Sequence, residues 1–316
     1  MLECDEVGPL LLERAYAKIN LTLNVLGKRP DGYHEVDMVM QSIDLSDEVA
    51  LEWLPESMEI VMESQATSIP LDGRNLAVIA AEKFLSAANL TRGVRIYLTK
   101  NIPVAAGLAG GSADAAAVLR GLNRLAGHPF SLDELAELGA QIGSDVPFCI
   151  YNGCAIASGR GEKITHVQPA LRSWVVLLKP PLYVSTTEVY QSIQADDFSN
   201  KRVSSAMTER FAKGCTLAEI ESLICNDLQP VTFRLYPEVA QLHRKMQSVS
   251  GLPCHMSGSG PTLFTLVPTQ SAGQRVYNAL RGFAKDVYLA RLFQPNSGGR
   301  QDETVFTFAG YGQASL

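Results

Sequence analysis

The chain lacks the marks of several protein classes. Its six cysteines, Cys4, Cys149, Cys154, Cys215, Cys225 and Cys254, contain no CxxC pair, and its five histidines show no HExxH or comparable spacing. Neither a disulfide framework nor a protein-held metal is expected, and the thiols read as reduced and mostly buried. No apolar run approaches the ~20 residues that cross a bilayer, so no membrane partner is expected. The opening segment, MLECDEVGPLLLERAYAK, is acidic where a signal peptide is basic. That points to the cytoplasm, or to a plastid stroma after removal of a transit peptide. Lys and Arg number 27 against 33 Asp and Glu, a formal net charge of −6. This is the wrong sign for gripping a nucleic-acid backbone.

What is present is an ordinary globular composition, 46% hydrophobic and 19% charged over 316 residues, long enough for about two domains. From Ala15, Ala17, Ile19, Leu21, Leu23 and Val25 alternate with Tyr16, Lys18, Asn20, Thr22 and Asn24, a strand with one apolar and one polar face. KRPDG at 28–32 supplies turn chemistry, and a short second strand is expected to about Leu45, with Tyr33 and His34 at the exit of the turn. Periodicity predicts a helix over 75–89, a strand over 94–98 and an alanine-rich helix entered from a Gly-rich stretch with Ser112 as N-cap. Ser131 and Glu134 form a capping box for a further helix to about Ile142, after which GSDVP at 143–147 puts Asp145 in a turn. A strand over 153–161 and another over 174–178 precede a second half that alternates helices (about 186–194, 216–224, 238–249 and 271–283) with strands near 263–267 and 287–292. The pattern is α+β, with a domain boundary near 165–180. The last twenty residues read as a ragged tail or a docked edge strand.

Two glycine clusters carry the strongest chemical signal. The stretch 103–112 ends at a helix N-terminus, where free backbone N–H groups and the positive end of the helix dipole favour an anion. It matches neither GxxxxGK[ST] nor GxGxxG, so taken alone it is either a tight packing turn or a phosphate cradle. MSGSGPT at 256–262 is, by itself, a plain loop; two such clusters favour a nucleotide clasped from both sides. Lys18 is either a solvated edge charge or a placed cation, and Asp145 either a turn carboxylate or a base. Phosphoryl transfer would use both: a carboxylate to take a hydroxyl proton and an ammonium to balance the moving charge. Tyr33 with His34, and Tyr190, are packing elements or the walls and edge of a site for a planar base. Asn75 is an N-cap or a reader of such a base.

In order along the chain, AKINL at 17–21 with RPDGYH at 29–34, PVAAGLAGGS at 103–112, GSDVPF at 143–148 and SGSGP at 257–261 resemble the GHMP kinases. The glycine motifs are shared across that superfamily, whereas AKINL and DGYH resemble the members that act on a cytidine diphosphate derivative of methylerythritol. The resemblance implies an α+β, two-domain GHMP kinase fold: an N-terminal ribosomal-protein-S5-domain-2-like domain over 1–170, a C-terminal ferredoxin-like domain over 171–316, and an active site in the cleft between them. It implies ATP and Mg²⁺ as cofactors, with Ser112 a candidate Mg²⁺ contact and no dedicated metal site. Asn75, Pro103, Ala105, Ala106, Gly107, Leu108, Ala109, Gly110, Gly111 and Ser112, with Gly258, Ser259 and Gly260, would hold the nucleotide. Lys18 and Asp145 would be the catalytic pair. Tyr33 and Tyr190 would sandwich cytosine, His34 would bond its polar edge, and Asn20, Asp145 and Thr186 would contact the rest of the substrate. A sibling kinase for homoserine, mevalonate or a sugar, or an inactive relative, is the alternative. The sibling gives no reason for Tyr-His after the DG turn, and an inactive relative none for keeping both Lys18 and Asp145.

Overall fold

The computed structural model describes residues 10–168, 172–198, 202–293 and 305–306; Cys4, the opening segment to residue 9 and most of the last twenty residues lie outside them. The first half runs β1 (Leu10–Lys28), β2 (His34–Leu54), β3 (Ile60–Ser64), α1 (Leu76–Ala87), β4 (Gly93–Thr99), α2 (Gly110–Leu125), α3 (Leu132–Ala140), α4 (Val146–Tyr151), β5 (Cys154–Gly159) and β6 (Lys163–His166). The second runs β7 (Trp174–Leu178), α5 (Thr186–Gln191), α6 (Ser204–Lys213), α7 (Leu217–Glu221), β8 (Cys225–Asn226), α8 (Leu228–Leu235), α9 (Pro237–Ser250), β9 (His255–Met256), β10 (Leu263–Val267), α10 (Gln270–Arg281), β11 (Val287–Arg291) and β12 (Val305–Phe306). β12 pairs with Leu10 and Leu11, so that part of the tail docks as an edge strand.

β1 and β2 form the long antiparallel spine of an eight-stranded sheet, with β4 and β5 both pairing with β2. β2 does not stop near Leu45: Val49, Leu51 and Trp53 continue the alternation and pair with Leu98, Ile96 and Val94 of β4, which extends the strand to Leu54. The alanine-rich face of α2 explains its closeness to this sheet. Ala113, Ala115, Ala116 and Ala117 are buried, and a methyl group on Gly121 would come within 2.4 Å of Leu51 Cδ1. The second sheet has the order β11-β7-β10-β9 and is antiparallel throughout. Taken with the helices between β7 and β9 and between β10 and β11, this is the βαββαβ arrangement of a ferredoxin-like unit.

The polar face of β1 is not solvated. Lys18, Asn20, Thr22 and Asn24 are all buried, because the second half of the chain packs over them. β8 pairs in parallel with Thr22 and Leu23, Asn24 Nδ2 donates to Asp227, and the Val203 N–H donates to Asn24 Oδ1. The β1/β2 register slips between Tyr16 and Lys18 and again between Asn20 and Thr22. These irregularities bracket the Lys18–Asn20 segment and re-aim its side chains, as bulges beside active sites do.

Candidate active site

The Gly-rich stretch folds as a loop of alternating left-handed residues able to cradle an anion, with its cap elsewhere than the sequence suggests. Ala105, Gly107 and Ala109 all take left-handed backbone, at φ of 51°, 72° and 58°, and such alternation turns successive N–H groups toward one centre. The turning is complete at Ala109, which occupies the N-cap of α2 without a side-chain cap bond, so Ser112 is the third residue of the helix and not its cap. Leu76, at the start of α1, lies 3.6 Å from where a Gly111 methyl would project. Asn75 does cap α1: its Oδ1 accepts from the Ala77 N–H at 3.0 Å, and its Nδ2 donates to Pro70 O at 2.7 Å. The amide therefore sets α1 against the cradle and has both ends engaged within the protein.

The two glycine clusters meet. Ser257 Oγ donates to Gly107 O at 2.9 Å, and a methyl group on Gly107 would stand 2.4 Å from Ser257 O. Only a glycine permits this approach. The second loop is held from behind by Asn226, whose Nδ2 donates to Met256 O and Gly258 O, and by Thr232 Oγ1, which donates to Ser259 O. Gly260 N–H closes the loop's turn on Ser257 O at 2.9 Å.

Lys18 is tied into this junction by its own backbone, its N–H donating to Leu108 O at 3.1 Å. Its Nζ donates to Asn20 Oδ1 at 2.8 Å and lies 3.4 Å from Asp145 Oδ2, with the lysine side chain 5% and the aspartate side chain 30% exposed. Asn20 Oδ1 is also 3.6 Å from where a Gly258 methyl would project. Asp145 sits at the N-cap of α4 yet makes no cap bond; its carboxylate faces the lysine instead. A buried ammonium beside a partly open carboxylate, next to a cradle of N–H groups, is an arrangement for moving a phosphoryl group onto a hydroxyl.

The aromatic residues lie on the same side. The His34 and Tyr190 ring centroids are 5.2 Å apart at 34°. Burial pushes the Tyr190 phenol up, with Asp145 adding to the shift, and burial beside Lys28 holds the His34 imidazole below its ordinary value. His34 is therefore mainly neutral at pH 7, with one nitrogen donating and one accepting. Tyr33 is 53% exposed, with the Arg160 guanidinium 5.3 Å from its ring centre. The turn that carries Arg160 rests on Met38 and Ser144 through Gly161. Tyr33 pairs with Arg160, whereas the ring that meets Tyr190 is His34. Thr186 Oγ1 is within 2.8 Å of Ser259 Oγ, which joins α5 to the second glycine loop.

Three buried charges under the cradle had no signal in the sequence. Lys100 Nζ donates to Asp114 Oδ2 at 2.8 Å and to Asp47 Oδ2, while Asp47 Oδ1 accepts from the Asn101 and Ile102 N–H groups. Asp114 Oδ1 has no partner among the described residues. Burial raises the Asp114 carboxyl to about 7, against the pull of Lys100 and with help from Asp47. Among the described residues no group of three His, Cys, Asp or Glu side chains could hold a metal ion, and no helix is long and apolar enough to cross a membrane.

The comparisons with known proteins agree with this geometry. Residues 75–153 match the GHMP kinases N terminal domain and residues 211–286 the GHMP kinases C terminal domain. The 4-diphosphocytidyl-2-C-methyl-D-erythritol kinase of Bacillus subtilis (strain 168) is 49% identical over 286 residues, covering 89% of this chain and 96% of the relative. That of Bacillus licheniformis is 48% identical over 297 residues, covering 93% and 99%. The chain belongs to the 4-diphosphocytidyl-2-C-methyl-D-erythritol kinase family of the GHMP kinases. A solved 4-(cytidine 5'-diphospho)-2C-methyl-D-erythritol kinase superposes with a TM-score of 0.76 at 33% identity, covering 90% of this chain and all of that one. The homoserine kinase of Cytophaga hutchinsonii, at a TM-score of 0.70 and 19% identity over 92% of this chain and 97% of its own, shares the fold. The GHMP kinase fold expected from the motifs is therefore the fold observed, with α+β units in both halves.

Proposed function

We propose that Lys18 and Asp145 carry, in this chain, the reaction of its family: ATP phosphorylates the 2-hydroxyl of 4-diphosphocytidyl-2-C-methyl-D-erythritol, giving the 2-phosphate and ADP. The observation that carries the assignment is the convergence of the Lys18–Asp145 pair, the cradle and the second glycine loop, each in direct contact with the next. Asp145 accepts the hydroxyl proton. The freed oxygen pair bonds to the γ-phosphorus as the β,γ-bridging bond breaks, and its electrons leave with ADP. Lys18 stabilises the developing alkoxide and the charge passing through the transferred group, and the backbone N–H groups of 105–111 hold the phosphates.

Mg²⁺ would be held chiefly by the nucleotide phosphates, with the Ser112 hydroxyl in the first turn of α2 as the side chain that would contact it, and would neutralise phosphate charge. The cytidine end lies toward His34, Tyr33 and Tyr190. Stacking contributes on the order of 1 to 3 kcal/mol per base, and the neutral His34 supplies the donor and acceptor that stacking cannot. Asn20 and Thr186 face the remaining part of the substrate. The net charge of −6 supports a small molecule rather than a nucleic acid as partner, and the five free thiols among the described residues support a reducing, cytoplasmic setting. The division at 170/171 is part of the proposal; it falls just before β7, although β8 and Leu292 reach back to β1 and β2. The test is product analysis: phosphorus NMR of the chain with MgATP and the cytidine substrate should show ADP and one new phosphomonoester per turnover. ADP accompanied only by inorganic phosphate would refute the transfer.

A further inference from the structure

We infer that Arg120, on α2, is a positioning residue for the Lys18–Asp145 pair; the inference rests on the role proposed for that pair. The Arg120 side chain is 5% exposed and spends its guanidinium on two other elements. Nη2 donates to Arg14 O at 2.8 Å, on β1 and four residues before Lys18. Nη1 donates to Cys149 O at 2.6 Å, in α4. The Cys149 N–H donates to Asp145 O at 3.1 Å, so the residue whose carbonyl the guanidinium holds is itself hydrogen-bonded to the backbone of the proposed base. Nε is directed by Glu13 Oε2 at 3.2 Å, and the other Glu13 oxygen accepts from Arg124 at 2.7 Å.

The arrangement places one rigid, planar donor group on α2, the helix that opens at the cradle. From there it clamps the strand carrying the ammonium and the helix following the carboxylate. Both clamped elements need such a tie. β1 changes register between Tyr16 and Lys18, beginning two residues after the clamped Arg14, and α4 is six residues long and uncapped by Asp145. A lysine cannot replace the fork, because an ammonium is a point donor without the geometry to reach both carbonyls. A buried ion pair alone often adds little net stability, whereas a fixed separation between base and cation acts directly on the rate.

The test compares Arg120→Lys, the double variant E13Q/R120M, which removes one charge of each sign and leaves Arg124 facing an amide, Asp145→Asn, and Glu52→Gln, which weakens a partly buried ion pair with Arg95 away from α2. Turnover is measured per nucleotide-binding site counted by titration with MgADP, so that unfolded protein does not enter the rate. Arg120→Lys should lower kcat by about 10- to 100-fold with both KM values within about threefold, because a misplacement of order 1 Å acts on the chemical step. E13Q/R120M should lose as much even where its Tm matches the wild type, while Glu52→Gln should lose Tm and keep kcat. If either Arg120 variant keeps kcat per site within about twofold, the positioning role is wrong. If Asp145→Asn itself keeps full turnover, the proposed pair fails instead, which separates the two conclusions; if Arg120→Lys does not fold, E13Q/R120M decides.

Discussion

Replacing Gly107 by alanine isolates the contact between the two glycine loops. Backbone strain is the smaller part of the effect. At φ of 72° an alanine costs about 1 kcal/mol, and Ala105 and Ala109 already take that conformation in the same loop. The methyl group is the larger part: it would stand 2.4 Å from Ser257 O and 2.9 Å from Gly260 O. Restoring ordinary contact requires the loops to part by about 1 Å and lengthens the Ser257 Oγ to Gly107 O hydrogen bond, worth about 1 kcal/mol. A displacement of that size in a phosphate-holding site costs about 10²-fold in kcat/KM for MgATP. Gly127→Ala is the control, since Gly127 has φ of 79° and nothing within 4 Å of the added methyl. It should lose about 1 kcal/mol and a few degrees in Tm while keeping its kinetics. Steady-state kinetics of both variants with MgATP varied at saturating cytidine substrate make the comparison. A Gly107→Ala enzyme within threefold of wild type would refute the idea that loop contact builds the nucleotide site.

Asp145→Asn should keep the fold and MgADP binding but lower kcat by about 10² to 10⁴, the range for loss of a general base; near-normal turnover removes Asp145 from the mechanism. Tyr33→Ala should raise KM for the cytidine substrate and leave that for ATP unchanged, and an equal change in both would mark the ring as structural. Asp114 makes a pH prediction. Its carboxyl titrates near 7 when folded against an ordinary value of 3.8, so between those values the folded state holds a proton that the unfolded state has lost. Stability therefore falls as pH rises through that window, by at most about 1.4 kcal/mol per unit from this group, and levels above it. Denaturant melts of wild type and Asp114→Asn from pH 4 to 8 should show the wild type losing more stability on the way up. Parallel curves would contradict the burial argument.

Local chemistry made the site legible where one segment carried its own signal. The glycine clusters, the capping box at Ser131, the DG turn before Tyr33 and the exposed-looking Lys18 were all readable, because backbone geometry and alternation are local properties. The failures are tertiary. Ser112 looks like an N-cap by residue type, yet the left-handed turns at Ala105, Gly107 and Ala109 start α2 three residues earlier, with Ala109 at the cap. The pattern of β1 shows a polar face but leaves Lys18 open between a solvated edge charge and a placed cation, and it is the packing of β8, Asp227 and Val203 over that face that buries Asn24. α6 buries only Met207 and Phe211 as apolar residues, and α8 carries Pro230 in its first turn and buries only Leu228, Val231 and Thr232; each stripe is too short to stand out in the sequence. Lys100, Asp47 and Asp114 are far apart in sequence and meet only when β2, β4 and α2 pack. The same holds for Arg120, which is unremarkable within an alanine-rich helix until its two carbonyl partners are known.

The central claim is the identity of the acceptor, and acceptor choice tests it most directly. ADP release from MgATP should be followed with 4-diphosphocytidyl-2-C-methyl-D-erythritol, homoserine, mevalonate and galactose offered separately to the same protein. The account predicts turnover with the cytidine substrate alone. Turnover with one of the other three in its place would leave the fold and the cradle standing but contradict the roles given to Tyr33, His34 and Tyr190.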